Sequence, residues 1–273
     1  MAAYPSPVPR LALRMKTEPQ PPAPQRSTDM ADPAASVDAG STQDVPKEDR
    51  TWRGKFITLE GGEGTGKSTQ AAILAQHLQS LGLPVLLTRE PGGSPGAEII
   101  RHVLLSGAAE PFGPETEAML FAAARGDHIR CAIEPALAAG RWVVCDRFAD
   151  STRVYQGVLG QVDQRFLNAL ERVSIGNLSP DLTLILDTPV KVGLERAAAR
   201  RASAEPDRFE SQGLKFHEKL REAFLTLALD SPERCVIIRA NAAKDDVAKR
   251  VWQAVDSKLK PAPARAAVKN AAS

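Results

Sequence analysis

Short apolar runs alternate with amphipathic stretches along most of this chain. The apolar runs are 55–60, 84–88 (Pro84-Val85-Leu86-Leu87-Thr88), 141–145 (Arg141-Trp142-Val143-Val144-Cys145), 182–187 (Leu182-Thr183-Leu184-Ile185-Leu186-Asp187) and 235–239 (Cys235-Val236-Ile237-Ile238-Arg239). Their length and their Val, Ile and Leu content predict β-strands. Four of them are apolar at successive positions, the pattern of central parallel strands buried on both faces. Between them, apolar residues at helical spacing predict helices over 66–81, 95–106, 114–139, 163–176, 190–202, 211–229 and 243–258. Gly82 and Pro84 stop the first helix. The alternation predicts an α/β fold: a doubly wound, mostly parallel sheet with helices on both faces. Ligands in such sheets sit beyond the carboxyl ends of the strands. The chemistry is therefore expected just after residues 60, 88, 145 and 187.

The ends of the chain break the pattern. Residues 1–50 hold nine of the 21 prolines, with Ala, Ser and Asp between them. Such a segment buries too little apolar surface to offset its ordering entropy and is expected to be a disordered extension. It lacks the basic-then-apolar start of a secretory signal. The domain is expected over 51–259, with a second loose tail over 260–273. Of the 273 residues, 43% are hydrophobic and 25% charged, which suits one domain of this size. The net charge of +2 gives no general reason to expect a nucleic-acid or membrane partner. Three cysteines (Cys131, Cys145, Cys235) form no metal-spaced pair. They suit a reducing, cytoplasmic compartment, and two fall in buried-strand runs. His77, His102, His128 and His217 are scattered and read as helix-surface residues rather than ligands. No apolar run reaches the roughly 18 residues of a membrane helix.

Candidate chemistry appears where the sheet argument puts it. After the first strand comes Gly61-Gly62-Glu63-Gly64-Thr65-Gly66-Lys67-Ser68-Thr69, the phosphate-cradling G-x-x-x-x-G-K-S pattern in its strand-to-helix context. Its N–H groups and the positive end of the following helix would face an anion. Lys67 would bridge the β- and γ-phosphates, and the Ser68 hydroxyl would hold Mg²⁺. After the second strand comes Arg89-Glu90-Pro91-Gly92-Gly93, and after the third Asp146-Arg147-Phe148. Asp146 suits a role at the metal, and Arg147 offers a fork that matches phosphate; a structural ion pair is the alternative. Arg196, Arg200, Arg201 and Arg208 flank a polar stretch. They read as a lid over about 198–210, against the alternative of a solvated charged face.

Taken together, these residues resemble the bacterial thymidylate (dTMP) kinase family. The resemblance is carried by Phe56 to Thr69, by Thr88-Arg89-Glu90-Pro91-Gly92-Gly93, and by Phe121-Ala122-Ala123-Ala124-Arg125. It continues through Asp146-Arg147-Phe148, Ser151-Thr152-Arg153-Val154-Tyr155-Gln156-Gly157 and Asp207-Arg208-Phe209-Glu210, and spans about residues 54–257. It implies a P-loop nucleoside-monophosphate kinase fold with a five-stranded parallel sheet. It also implies transfer of the ATP γ-phosphate to dTMP, with Mg²⁺. Phe121 would stack on thymine and Arg125 would donate to a thymine carbonyl. Thr152 would face the polar edge of the base, with Ser151 and Gln156 beside it. Tyr155 would crowd a 2′-hydroxyl. Arg89 and Arg147 would hold the monophosphate, and Glu63 would approach the sugar 3′-hydroxyl or the metal. The P-loop holds no arginine, so Arg200 and Arg201 of the lid would supply one alongside Lys67 and Arg147. Members of the family are commonly homodimers. The sequence departs from the usual pattern at Val158-Leu159-Gly160-Gln161, at Phe148, and in the length of the lid.

Three other readings compete. Another nucleoside-monophosphate kinase would share the loop and the fold. A GTP-dependent switch would need an N-K-x-D motif, and Asn241-Ala242-Ala243-Lys244 does not fit one. A mechanical ATPase would end a strand in paired acids, whereas this strand ends Asp146-Arg147.

Overall fold

The computed structural model describes residues 53–201 and 208–261. The expected extension over 1–50, most of the tail over 260–273, and the middle of the lid with Asp207 lie outside the described residues, as does the Arg201 side chain.

In chain order the elements are β1 (Phe56–Glu60), α1 (Lys67–Ser80), β2 (Val85–Arg89), α2 (Pro95–Leu105), α3 (Gly113–His128), α4 (Glu134–Ala138) and β3 (Trp142–Asp146). Then follow α5 (Ala149–Thr152), α6 (Gln164–Ser174), β4 (Leu182–Asp187), α7 (Val190–Arg201), α8 (Leu214–Asp230), β5 (Cys235–Arg239) and α9 (Lys244–Leu259). The five strands form one sheet in the order β2-β3-β1-β4-β5, every neighbouring pair parallel. This is the sheet that the alternating pattern predicts. β1 lies at its centre, so the glycine-rich loop emerges mid-sheet.

Alternate strand residues feed two cores. On one face Ile57, Leu59, Val144, Leu184 and Leu186 pack on Leu74 and Leu78 of α1 and on Val251 and Val255 of α9. On the other face Phe56, Val143 and Cys145 meet Ile133 and Leu137, while Ile185 meets Leu220 and Phe224 of α8. Each fully buried aliphatic or aromatic side chain contributes about 1.5–3 kcal/mol. Only the three central strands are enclosed along nearly their whole length. Four runs were expected to be buried on both faces; β2 and β5 instead close the two edges, and β5 leaves Ile237 38% exposed. An edge strand has a partner on one side only.

Two helical expectations are also corrected. The predicted helix 114–139 is not uniform, since residues 129–133 wind as a wider π-turn between α3 and α4. Pro135 follows at once, and a proline can neither donate its ring nitrogen nor fit its ring against the preceding turn. Residues 149–159, expected as no regular element, form α5 and a second π-turn. Their buried face includes Asp150, Thr152 and Gln156, so apolar periodicity cannot reveal it. Two of the histidines read as surface residues, His128 and His217, are instead buried, at 0% and 3% exposure.

Candidate functional site

The loop after β1 turns through left-handed backbone at Gly64 (φ 65°) and Gly66 (φ 94°). At Gly64 a Cβ would lie 1.8 Å from the Gly193 carbonyl oxygen of α7, so only glycine fits there. Gly66 caps α1, whose first residue is Lys67. The free N–H groups and positive dipole of that helix therefore open beside the loop. The buried Lys67 ammonium donates to the Gly62 carbonyl at 2.7 Å, and the Thr65 hydroxyl donates to the same oxygen at 3.0 Å. Burial and then the Arg147 charge push Lys67 down to about 8, against the pull of Glu63, Asp146 and Glu60.

The ends of β1 and β3 supply the opposite wall. Their register pairs Leu59 with Asp146, which carries Asp146 and Arg147 to the mouth of the loop. Arg147 has φ 71° and is pinned by its own N–H, which donates to Leu59 O at 2.9 Å. Its guanidinium donates to Gly61 O (3.1 Å), Ser151 Oγ (3.2 Å) and Glu63 Oε1 (2.5 Å), and lies 5.4 Å from the Tyr155 ring centre. Burial opposes its charge, but the oxygens of Tyr155, Glu63, Glu60 and Asp146 more than offset that and hold the proton on. Tyr155 also donates to Glu63 Oε1, at 2.9 Å. Burial alone would raise the Glu63 carboxyl, yet Arg147, Lys67 and the Tyr155 hydrogen bond lower it to about 2.

Glu60 is fully buried behind this wall. Its carboxylate accepts from the Phe148 N–H (2.7 Å), the Ser151 N–H (3.3 Å) and the Ser151 hydroxyl (2.7 Å). Burial first, then the Asp150 charge, raises its pKa. Sequence reasoning missed Glu60 as a site residue. The signal was present: it is the only charged residue of β1 and directly precedes the glycine-rich loop.

Ser68 Oγ donates to Asp146 Oδ2, and Asp146 Oδ1 is buried with no partner among the described residues. One hydroxyl at the start of α1 and one carboxylate at the end of β3 fit Mg²⁺, which takes few protein ligands and the rest from phosphate and water. The described residues hold no cluster of three or more His, Cys, Asp or Glu side chains suited to a metal.

The far half of the cleft is built by α3, α5 and the π-turn after it. Arg125, 2% exposed, is clamped by Glu90 Oε2 (2.8 Å), Thr152 Oγ1 (3.0 Å) and Phe148 O (3.3 Å). Phe121 and Tyr155 both face Phe209, at ring-centre distances of 6.3 Å and 5.2 Å. Gln156 is buried, its Oε1 without a partner among the described residues. Phe148 packs edge-on against Phe56 at 4.9 Å, a core role in place of a hydroxyl contact. Arg89 stands at the rim, 55% exposed and paired with Glu98 at 3.1 Å.

These groups line a single open cleft of about 1010 Å³, including its part open to solvent. It brings together Glu63, Gly64, Gly66, Lys67, Ser68, Arg89, Phe121, Arg125, Asp146, Arg147, Ser151, Thr152, Tyr155, Gln156 and Arg200. Gly61, Gly62 and Thr65 of the loop line a smaller neighbouring cavity instead. Thr69 is exposed on α1, outside the cleft lining. The four-arginine cluster divides. Arg200 lines the cleft and donates to Glu210 at 3.2 Å. Arg196 donates to Ala240 O at 3.2 Å, and Arg208 pairs with Glu117 at 2.5 Å. Phe209, Glu210, Glu90 and Arg101 also line the cleft and were not foreseen as site residues. Phe209 and Glu210 belong to the Asp207-Arg208-Phe209-Glu210 stretch that carries the resemblance, which was their signal.

Comparison with known proteins points one way. The thymidylate kinase family model matches residues 59–251. A thymidylate kinase of Bradyrhizobium diazoefficiens is 61% identical over 212 residues, covering 78% of this chain and 93% of that protein. One from Nitrobacter winogradskyi is 60% identical over 222 residues, 81% of this chain and 96% of that protein. The crystal structure of thymidylate kinase from Ehrlichia chaffeensis superposes with a TM-score of 0.61 at 30% identity, covering 74% of this chain and 99% of that one.

Proposed function

The chain belongs to the thymidylate kinase family, and from that premise we propose how its cleft moves a phosphoryl group onto dTMP. The family uses ATP as the donor, and the products are dTDP and ADP. The acceptor is already an anion, so the reaction needs no general base. The obstacle is the repulsion between two polyanions, and catalysis reduces to positioning and charge neutralisation.

The donor phosphates would lie in the loop 61–66, against the N–H groups at the start of α1. Lys67 would turn from the Gly62 carbonyl to the β- and γ-phosphates, whose negative charge would restore its proton affinity. Arg147 would hold the acceptor phosphate while Glu63 and Ser151 fix its fork. Arg89 reinforces that charge at the rim. Arg200 supports the lid-supplied cation of the sequence reading, because it lines the cleft from α7. Ser68 and Asp146 would hold Mg²⁺, which supplies further neutralisation of the transferring group when bound. Phe121 and Arg125 would receive the base with Thr152 and Gln156. Tyr155, fixed through Glu63, would close the space beside the sugar 2′-position. The cleft walls would also exclude water, which competes as acceptor.

One observation carries this reading. The phosphate loop with Lys67 and the Phe121–Arg125–Tyr155 pocket open into one cleft, with Arg147 between them. The test is coupled ADP release with dTMP, dUMP, dCMP, AMP and GMP as acceptors. Fast turnover with dTMP above all others is expected, and no ADP release with dTMP overturns the reading.

We also take the chain to be a homodimer, as its family commonly is. The apolar Ile99 and Val103 on α2 and Met119 on the adjoining α3 are exposed, which suits a covered face. No described helix is long and apolar enough to cross a membrane. Three free cysteines suit the cytoplasm.

A further inference from the structure

Behind Arg125 runs a polar chain, buried except at its half-buried Thr88 end, that the phosphoryl-transfer scheme does not use. Thr88 Oγ1 lies 2.7 Å from His128 Nε2. His128 Nδ1 lies 3.1 Å from Glu90 Oε1, and Glu90 Oε2 accepts from Arg125 Nε at 2.8 Å. His128 is 0% and Arg125 2% exposed, and Glu90 is nearly as deep. Gly93 seals the chain from outside. A Cβ there would come within 2.4 Å of His128 Nε2 and 2.5 Å of Thr88 Oγ1.

The directions of the bonds follow from the groups. A carboxylate accepts only, so His128 Nδ1 carries a proton toward Glu90. In the neutral ring Nε2 then accepts from the Thr88 hydroxyl. Glu90 is held at both oxygens and cannot rotate away from Arg125. On the other side, Arg125 Nη2 is held by Thr152 and Phe148 O. Only Nη1 has no protein partner among the described residues, and the arginine lines the cleft. The two N–H donors of Nη1 are left for a ligand, in the plane of a guanidinium that cannot turn.

We infer that His128 is a positioning residue for substrate selection: with Thr88 it locks Glu90, and Glu90 aims the Arg125 guanidinium at the carbonyl of the bound base. This rests on the reading of Arg125 as a base-binding residue. A thymine presents an acceptor there, whereas a cytosine presents an amino group that would meet a donor. Loosening the chain should therefore act on base selection and leave the phosphate half of the cleft alone.

The test compares His128→Gln, His128→Asn, Thr88→Val and Arg125→Ala, with His128→Gln/Arg125→Ala as the double variant. His128→Gln moves the donor away from Glu90, so KM for dTMP should rise about 10- to 100-fold, as misplacement of a binding group does. The preference for dTMP over dCMP should fall by a similar factor, while KM for ATP stays within about twofold. Asparagine keeps a donor near the Nδ1 position and should restore most of the dTMP affinity. Thr88→Val should reproduce a weaker form of the His128→Gln effect. In the Arg125→Ala background, His128→Gln should have no further effect on dTMP selection. If Arg125→Ala leaves dTMP affinity intact, the base-binding reading fails and the inference with it. The inference alone fails if Arg125→Ala is damaging while His128→Gln leaves selection unchanged. It also fails if His128→Gln damages ATP and dTMP use equally in both backgrounds.

Discussion

At the scale of single residues, the site is a set of charges that burial makes consequential. Lys67 is the clearest case: enclosed beside Arg147, it is lowered to about 8. Truncating it removes a preorganised cation, and Lys67→Ala is expected to lower kcat by about 10²–10³ in steady-state assays with dTMP and ATP saturating. The lowered pKa also sets a pH limit. The free enzyme holds the Lys67 proton below pH 8 and loses it above. kcat/KM for ATP should therefore fall about tenfold per pH unit above that point, because it reports the free enzyme. kcat reports the bound complex, where phosphate charge raises the lysine again, so its alkaline limb should lie higher. The same shift bears on stability. Between about 8 and the ordinary 10.5 the unfolded chain binds the proton and the folded chain does not, so this group's contribution to stability increases with pH across that window. A kcat/KM profile flat to pH 10 would remove the buried-lysine account.

At the scale of elements, position matters more than propensity. Gly64 and Gly66 both have positive φ, but their surroundings differ. A Cβ on Gly64 would strike the Gly193 carbonyl at 1.8 Å, while one on Gly66 would meet no atom within 4 Å. Gly66→Ala should then cost only the backbone strain, about 1–2 kcal/mol. Gly64→Ala should cost clearly more, because α7 must move off the loop. Urea denaturation of both variants without nucleotide checks this ordering, and equal losses would contradict it. The same attention to surroundings explains α5 and the π-turn after it. Asp150 there accepts from Nη1 and Nη2 of Arg234, at 2.6 and 2.8 Å, so a polar face is buried at low cost. Apolar spacing carried no trace of that helix, although its residues Ser151, Thr152, Tyr155 and Gln156 were already in view as a motif.

At the scale of the molecule, the sheet order decides where everything meets. β1 is central, so its loop faces the ends of β3 and β4 and gathers groups from both halves of the chain. The proposed dimer is a property of this scale too. Sedimentation equilibrium should give twice the 29.3 kDa chain mass. Ile99→Glu, which puts a charge on the exposed α2 face, should shift the mass toward the monomer. A wild-type monomer at micromolar concentration would sink the proposal.

The sequence by itself determined the strand order along the chain, most of the helices between them, the phosphate loop, the motifs after the first three strands and hence the family. Each of these is a local pattern: period, turn residue or fixed spacing. Only the tertiary structure decided which side chains face each other. Glu63 meets Arg147 and Tyr155 across 84 and 92 residues of chain, and Glu90 meets Arg125 across 35. It also decided that His128 is a core residue, that Arg208 pairs with Glu117 and that Arg200 pairs with Glu210. The physical reason is that hydrophobic periodicity encodes which face is buried. The partner of a buried charge is set by strand register and helix packing, and no local stretch of sequence contains these.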